Sequence, residues 1–335
     1  MNSPVTIHDV ARAAQVSIST VSNAMNRPGR VAADTRSRVF EAADRLGYVP
    51  HAIAAHRART ARERIGIIAP FVSHSSYASR IQGILPVLSA DHLEALLFDH
   101  PSASRSPSPA AATLPFSGNL DGLVIMGVPM DTGLAERLLS RRVPTVLVDS
   151  RHPQFTSVVL DEDHGAATAA RHLVGQGFTR FVYVTEGQLS NEFISQGKRR
   201  LAGFLKALAD LGVGEDRVHR ITARAGDSNA GRLAADAILS LAEKDRVGVL
   251  AGHDILAAGM LAGFRSRHVD VPGRVGVMGW DGGELVEALG LTTMRQPLAE
   301  SGRVGAERLI SHMRDATAPV ERIVLMPTLV TGITT

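Results

Sequence analysis

A short run of hydroxyl and amide side chains occupies residues 17–23, at the start of a segment with helical periodicity. Hydroxyl groups at a helix end suit contacts with phosphates, Asn can pair bidentately with adenine, and Ile can pack against a thymine methyl group. The positions that would read bases are Ile18, Ser19 and Asn23. This pattern is typical of a helix that enters the DNA major groove. The alternative is a three-helix bundle whose polar residues are only solvated.

Motifs of enzymes and metal sites are missing from the sequence. It contains no GxSxG elbow, no Walker loop and no GxGxxG after a strand. Among its 13 His, pairs such as His51/His56 and His164/His172 lack the spacing and carboxylate company of a metal site. We therefore predict no catalysis, no bound metal and no cofactor.

Three short helices are predicted to position the polar run. Thr6 and Asp9 form a capping pair for the first helix, Ser17 caps a second helix that extends to about Asn26, and Gly47 ends a third. Residues 1–49 are therefore predicted to form a small all-α head. Apolar residues at helical spacing supply its core: Ile7, Val10, Ala11, Ala14, Val21, Met25, Val39, Ala42, Ala43 and Leu46.

Residues 50–63 separate the head from the rest of the chain. Pro50 opens an Ala-rich stretch that is followed by a cluster of Arg. Such a segment contains helix formers but has little apolar surface to bury, so it is marginal as an isolated helix. We interpret it as a hinge that becomes ordered on contact with DNA or with a second copy of the chain.

Residues 64–335 alternate between β-rich runs and segments with helical periodicity, which indicates parallel sheets with helices on both faces. Eight strands are more than one such sheet commonly holds, so we expect an α/β body of two parallel-sheet lobes. A Ser/Pro-rich stretch at 101–115 resembles a loop. The eight strands are predicted at 65–69, 95–98, 123–126, 145–148, 181–185, 218–221, 247–250 and 275–279.

Charge is distributed unevenly along the chain, whose formal net charge is +3. Residues 1–64 carry ten Arg and five acidic residues, whereas the remainder carries 26 basic and 28 acidic residues. A basic head on a near-neutral body favours a polyanion as the partner of the head. The sequence has no Cys, no signal peptide and no apolar run of membrane-spanning length, so we expect a cytoplasmic protein without membrane contact.

The N-terminal stretch VTIHDVARAAQVSISTVSNAMNRPGRVAADTRSRVFEAADRLGYVPHAIA resembles the head of the LacI/GalR family of bacterial repressors. The resemblance continues through RRVPTVLVDS, VVLDEDHGAATAARHLVGQGF, KRRLAGF, AGHDILAAGML, VDVPGRVGVMGWDG and LTTMRQPLAESG, in the order and spacing of that family. It implies a homodimer with two heads on a pseudo-palindromic operator in double-stranded DNA. It also implies a body that resembles periplasmic sugar-binding proteins and binds a sugar-like effector between its lobes.

The resemblance also implies roles for single residues. Ile18, Ser19 and Asn23 match base-reading positions, and Asp149, Arg200, His253 and Asp281 match positions where the family places polar groups against its effector. Trp280, the only tryptophan, lies beside Asp281, and a place in the cleft and a place in the core both remain open for it. The positions that match phosphate or groove contacts are Ser17, Thr20, Asn26, Arg30 and Thr35.

Three residues depart from the family pattern. Asn23 stands where the family usually has Arg, so a preference for guanine at that base is not expected to hold. Arg57 stands where a Leu usually wedges into the minor groove, so we hypothesise a weaker or differently placed kink. His253 replaces the usual Asn; it either titrates and makes effector binding pH-dependent or is satisfied by a neighbouring backbone group.

Three functional classes remain after these observations. The favoured one is a repressor whose operator affinity is controlled by a small-molecule effector. The body alone would also fit a solute-binding protein without a DNA role, but the 60-residue head favours the repressor. A carbohydrate-processing enzyme is the third class.

Overall fold

The computed structural model describes residues 5–26, 30–48, 63–70, 74–100, 120–188, 193–243 and 245–335. Two sequence predictions fall outside these ranges: the hinge up to residue 62, which includes Arg57, and the Ser/Pro-rich stretch at 101–115. The described elements follow this order along the chain: α1 (Ile7–Ala14), α2 (Ile18–Asn26), α3 (Ala33–Leu46), β1 (Arg64–Pro70), α4 (Ser75–Ala90), β2 (Glu94–His100), β3 (Gly122–Met126), α5 (Thr132–Ser140), β4 (Thr145–Val148), β5 (Thr156–Leu160), α6 (Glu162–Gly175), β6 (Arg180–Glu186), α7 (Gln196–Asp210), β7 (Val218–Ala223), α8 (Ser228–Leu241), β8 (Val247–Ala251), α9 (Asp254–Ser266), β9 (Val275–Asp281), α10 (Leu285–Leu289), β10 (Thr292–Arg295), α11 (Leu298–Arg314), β11 (Arg322–Leu325) and β12 (Thr328–Val330).

The three head helices begin and end close to the residues that the sequence predicts. The Thr6 backbone N–H donates to Asp9 Oδ2 at 3.0 Å, which completes the capping box of α1. The Thr20 N–H donates to Ser17 Oγ at 3.1 Å at the start of α2. Gly47 ends α3 at φ 65°, a left-handed conformation that glycine adopts without a steric penalty. The predicted apolar face is buried or partly buried in one cluster.

Lobe 1 is a six-stranded sheet in the order β11-β5-β4-β3-β1-β2, and all its described pairings are parallel. Helices α4 and α11 cover one face, and α5 covers the other. Strands β3, β4 and β5 are buried along their whole length. Burial on both faces explains why β3 and β4 contain continuous apolar runs and not alternating patterns.

Lobe 2 repeats this architecture with the strand order β12-β10-β9-β8-β6-β7. Its strands pair in parallel except for the antiparallel pair β10–β12 at the edge. Helices α8 and α9 pack on one face, and α6 and α7 pack on the other. The predicted fold class, a helical head with two parallel-sheet lobes, is therefore confirmed.

The polypeptide passes between the lobes three times: after β5, after β10 and after β11. Each lobe is thus built from separate stretches of the chain, which the sequence prediction did not specify. The eight predicted strands are all present, but β5, β10, β11 and β12 were missed. All four lie at or next to a sheet edge, and each has five residues or fewer, so their local patterns are short.

In each lobe, a glycine allows two helices to cross at very short range. In lobe 1, a Cβ atom on Gly302 of α11 would lie 2.0 Å from the Arg80 carbonyl oxygen of α4. In lobe 2, a Cβ atom on Gly259 of α9 would lie 2.0 Å from the Ser228 carbonyl oxygen at the start of α8. Both pairs of helices therefore cross backbone against backbone.

Helices that could cross a membrane were not found in the described part of the chain, since none combines sufficient length with sufficient hydropathy.

Candidate functional sites

The start of α2 forms an exposed polar surface on the head. Ser17 Oγ lies 2.8 Å from both Ser19 Oγ and Thr20 Oγ1, so the three hydroxyls form one cluster. Ile18 leaves 42% of its surface exposed, so its apolar side chain is accessible from solvent. Asn23 is half-buried one turn farther along the helix. The predicted base-reading residues therefore lie where a duplex could approach them.

The remaining predicted head contacts are distributed around this surface. Arg30 is exposed, and Thr35 in the first turn of α3 is half-buried. Asn26 is the last residue of α2, and Arg57 lies outside the described residues.

A cavity of about 570 Å³ opens between the lobes, at the carboxyl ends of the strands of both sheets. In parallel α/β sheets, ligands bind at this edge because the loops there leave backbone and side-chain groups without strand partners. Four of the five predicted effector-binding residues line it: Asp149, Arg200, His253 and Asp281.

Asp149 occupies the lobe 1 side of this cleft, directly after β4. Its φ of 57° is left-handed, a strained conformation that is uncommon for a residue other than glycine and is frequent at functional sites. The carboxylate forms an ion pair with Arg80 of α4, and both side chains are almost fully buried. The Asp149 carbonyl oxygen accepts a hydrogen bond from Gln196 Nε2 at 2.6 Å, and this contact joins the two lobes.

Arg200 occupies the floor of the lobe 2 side. Its Nε and Nη2 atoms donate to the two carboxylate oxygens of Glu162 at 2.6 and 3.1 Å, and Nη1 donates to the Gly252 carbonyl oxygen at 2.8 Å. The planar guanidinium is thus fixed by three bonds, and its charge is balanced by Glu162. Arg200 therefore presents only its remaining N–H groups to a ligand.

His253 lies at the N-terminus of α9 and meets His74 of lobe 1 edge to face, with ring centroids 5.8 Å apart. Burial, together with the nearby charge of Arg200 and the His74 ring, lowers the pKa of His253 to about 3. The imidazole is therefore neutral at ordinary pH. Within the described residues its buried Nε2 atom has no hydrogen-bond partner, so a backbone group does not satisfy it.

Asp281 ends β9 and has a φ of 142°, a second strained backbone at the cleft. Its Oδ1 accepts a hydrogen bond from Gln296 Nε2 at 2.7 Å. Burial, reinforced by the neighbouring Asp254, raises the pKa of Asp281 to about 7. Asp254 holds the turn that follows Asp281, because its Oδ2 accepts from the Gly282 and Gly283 N–H groups at 2.8 and 3.1 Å.

Trp280 does not line the cleft. It is fully buried in lobe 2, and the Arg200 guanidinium lies over its ring at 4.8 Å. The side chains of a strand alternate between opposite faces, so Trp280 and its neighbour Asp281 point in different directions. Of the two places left open for Trp280, the core is therefore the one observed, and the contact with the effector that was considered for it is not found. Its ring instead lies against the Arg200 guanidinium.

Unpartnered buried polar atoms define what the cleft could bind. In the described residues these include Asp149 Oδ1, His253 Nε2, Gln296 Oε1 and Arg80 Nε, all of which belong to cleft residues. Buried polar groups are normally hydrogen-bonded, so such atoms mark positions for ligand groups. Oxygen acceptors beside one guanidinium donor suit hydroxyl groups, which can both donate and accept.

Several residues of the cleft were missed by reasoning from the sequence. Arg80, Glu162, Gln196, Asp254 and Gln296 support or line the site, but they stand on helices or after strands that carry no local motif. By its local pattern, Asp161-Glu162-Asp163 indicates only the acidic start of a helix. Asp161 does cap α6, since its Oδ1 accepts from the His164 N–H at 2.9 Å, but Glu162 points to Arg200.

Comparison with known proteins accounts for this arrangement. Residues 6–51 match the bacterial regulatory proteins of the lacI family, and residues 170–335 match the periplasmic binding protein-like domain. Catabolite control protein A of Priestia megaterium is 30% identical over 322 residues, which cover 93% of this chain and 94% of that protein. The chain belongs to the LacI family. Its described helices and lobes are thus the head and body of a LacI-family regulator.

Solved structures share the fold at lower identity. A lac repressor dimer bound to operator and the anti-inducer ONPF superposes with a TM-score of 0.70 at 22% identity, covering 99% of each chain. A LacI family regulator from Enterococcus faecium with bound ribose has a TM-score of 0.70 at 21% identity, covering 82% of this chain and 98% of that chain.

Proposed function

We propose that this LacI-family protein is a sequence-specific DNA-binding transcriptional repressor whose operator affinity is controlled by a small effector bound between its lobes. The observation that carries the proposal is the combination, in one chain, of an exposed polar helix start on the head and a buried polar cleft in the body. A solute-binding protein would need only the second feature.

In the proposed head, Ile18, Ser19 and Asn23 read bases in the major groove. Ser17, Thr20, Asn26, Arg30 and Thr35 contact phosphates or the groove, and Arg57 enters the minor groove. The base contacts determine which DNA sequence is bound, and the phosphate contacts set the register of the helix on the duplex. The lac repressor dimer on its operator supports a homodimer that places two heads on double-stranded DNA. We expect this binding to take place in the cytoplasm.

In the proposed cleft, Asp149, His253, Asp281 and Gln296 accept or exchange hydrogen bonds with the effector, and Arg200 supports them from the floor. We infer a sugar or a related polyhydroxyl metabolite, because several buried acceptors converge in a cavity of about 570 Å³. Ribose in the E. faecium regulator supports this class of ligand. We expect the ligand to be bound and released without turnover.

The deciding experiment compares the full chain with a variant that lacks residues 1–60. The probe is a DNA duplex that the full-length protein selects from a random-sequence library, and binding is measured by gel shift. We expect the full chain to shift the duplex and the deletion variant to leave it unshifted. A duplex that is shifted equally by both proteins would remove the DNA-reading role from the head and favour the solute-binding alternative.

A thermal-shift screen of both proteins against sugars, nucleosides and other small metabolites tests the cleft separately. A ligand that binds only the native state raises Tm with concentration. We expect one polyhydroxyl compound to raise Tm in both proteins, because the head is not part of the cleft.

A further inference from the structure

A cluster of charged side chains joins the head directly to lobe 1. Asp44 on α3 accepts a hydrogen bond from Arg137 Nε of α5 at 2.9 Å and forms a second ion pair with Arg141, which directly follows α5. The three side chains retain only 16%, 23% and 22% of their exposure, so the ion pairs are partly shielded from solvent. We call these three residues the head clamp.

Helix α5, which carries Arg137 and ends just before Arg141, begins at the effector cleft. Pro129 and Met130, just before α5, line the cavity, and Asp131 caps the helix by accepting the Leu134 N–H at 2.7 Å. Val128, which directly precedes Pro129, accepts a hydrogen bond through its carbonyl oxygen from Ser150 Oγ at 2.6 Å. Ser150 directly follows Asp149, so the segment that carries the Asp149 carboxylate is hydrogen-bonded to the segment just before α5.

The apolar side of α5 is packed against the sheet of lobe 1. Leu134, Ala135 and Leu138 are buried in a cluster with residues of β3 and β4. Nine helical residues at 1.5 Å each make a rod of about 13 Å between the cleft and the clamp. A packed helix of this length transmits a displacement at one end to the other, because a close-packed core does not absorb it.

The clamp leaves the DNA-reading surface free. Its head residue lies in the last turn of α3, whereas Ile18 and Ser19 at the start of α2 stay exposed. The contact therefore sets the orientation of the head without covering the residues that would read bases.

We propose that Asp44, Arg137 and Arg141 are positioning residues that couple the effector cleft to the head through α5, in parallel with the covalent hinge. The inference rests on the proposed function and deepens its regulation. When the lobes rearrange around an effector, α5 moves with the Asp149–Ser150 segment and alters the hold on Asp44. Such coupling is a free energy shared by the two sites and acts in both directions.

A cross-linking experiment tests whether the clamp exists in solution without any need for DNA or effector. The chain has no Cys, so the double variant Glu41→Cys/Ser140→Cys carries the only two thiols and leaves the three clamp residues in place. Glu41 lies one turn before Asp44 on α3, and Ser140 directly precedes Arg141. We expect a short bis-maleimide to link them within one chain, seen as a mobility change on a denaturing gel. The matched control is Asp34→Cys/Ser140→Cys, with the first thiol on an exposed position at the opposite end of α3. Equal linking of both pairs, or of neither, would overturn the clamp.

A double-mutant cycle tests whether the clamp communicates with the cleft. Asp44→Asn is expected to weaken binding of the selected duplex by about threefold to tenfold, because a looser head loses orientation. Asp44→Glu should restore binding to within about twofold, and Arg137→Gln/Arg141→Gln should repeat the loss from the lobe 1 side. The matched control is Asp210→Asn, which removes an exposed ion pair with Lys206 on α7.

Ser150→Ala completes the cycle, since it removes the bond to Val128 at the cleft end of α5. We expect its effect on duplex affinity to be at least about twofold smaller when Asp44→Asn is already present, because the route to the head is broken. Additive effects, or no effect of Ser150→Ala on wild-type protein, would overturn the coupling. Failure of the proposed function would appear differently, as loss of duplex binding by wild type itself.

Discussion

At the scale of single residues, the floor of the cleft combines two ion pairs with buried hydrogen-bond acceptors that have no partner within the described residues. Arg80 is paired with Asp149 and Arg200 with Glu162, so the floor offers no unbalanced guanidinium charge to a ligand. Asp281 differs, because burial and Asp254 raise its pKa to about 7. Its protonation therefore changes in the range where the protein would work.

Replacement of Asp281 by Asn is expected to flatten the pH dependence of stability. The native carboxyl holds its proton up to about pH 7, whereas in the unfolded chain it loses the proton near pH 3.9. The native state binds more protons between these values, so the stability from this group is complete below about pH 4 and is lost as pH rises to about 7. Thermal unfolding from pH 5 to 8 should show a smaller fall in Tm for Asp281→Asn than for wild type. The exposed Asp236→Asn should follow wild type; a parallel fall in all three proteins would contradict the assignment.

His253 is expected to act as a neutral hydrogen-bonding group and not as a pH switch. With its pKa lowered to about 3 it stays uncharged at pH 6–8, so replacement by the family-typical Asn should preserve effector affinity to within about threefold. Replacement by Ala should weaken affinity by about tenfold, since a buried ligand group would lose its partner. Calorimetric titration with the ligand found by thermal-shift screening measures both. A steep change in wild-type affinity between pH 6 and 7 that is absent from His253→Asn would contradict this view.

At the scale of elements, the position of the site depends on how closely helices approach each other. Arg80 reaches Asp149 because α4 lies against α11 with almost no space between the two backbones at Gly302. The sequence shows that Gly302 lies in a segment with helical periodicity, but it does not show which other helix packs against that glycine. Only the crossing explains why a residue with low helix propensity stands there.

Gly302→Ala is expected to lower the free energy of unfolding by about 1–3 kcal/mol or more, because the new methyl group would overlap the Arg80 carbonyl. It should also weaken effector binding, since α4 carries Arg80 into the cleft. Denaturant unfolding and calorimetry measure the two effects. Gly175→Ala in α6 is the matched control, because a Cβ there meets nothing within 4 Å. Equal stability of the two variants would show that the crossing tolerates a side chain.

At the scale of the whole molecule, charge and binding are divided between the head and the body. The basic excess lies in residues 1–64, whereas the buried arginines of the cleft floor, Arg80 and Arg200, are paired with acidic residues. The two binding events should therefore respond differently to salt. A polyanion partner releases counterions when it binds, but a neutral ligand in a buried cleft does not.

The expected outcome is a fall in duplex affinity of about a thousandfold or more between 50 and 200 mM salt, if the dimer contacts roughly six to ten phosphates. Affinity for a neutral effector should change by less than about twofold over the same range. Fluorescence anisotropy and calorimetry at a series of salt concentrations give both slopes. Equal salt dependence of the two affinities would contradict this division of charge.

The sequence alone determined the features that depend on neighbours along the chain. The caps at Thr6, Ser17 and Gly47, the three head helices, eight strands and the basic head all follow from local spacing and composition. Four cleft residues could also be predicted, because the resemblance to the LacI family implies which positions face the effector. Local hydrogen bonds and periodic burial leave a direct trace in the sequence, so these elements were predictable.

Only the tertiary structure decided which distant groups meet. The pairing of β9 with β10 brings Gln296 to Asp281, and the passage of the chain between lobes brings Gln196 to Asp149. The docking of the head brings Asp44 to Arg137. The burial of Trp280 and the pairing of Arg200 with Glu162 were likewise settled by packing. Each of these contacts joins residues from separate elements. The energies of these contacts depend on desolvation and on the distances between elements, and no single segment of the sequence specifies either one.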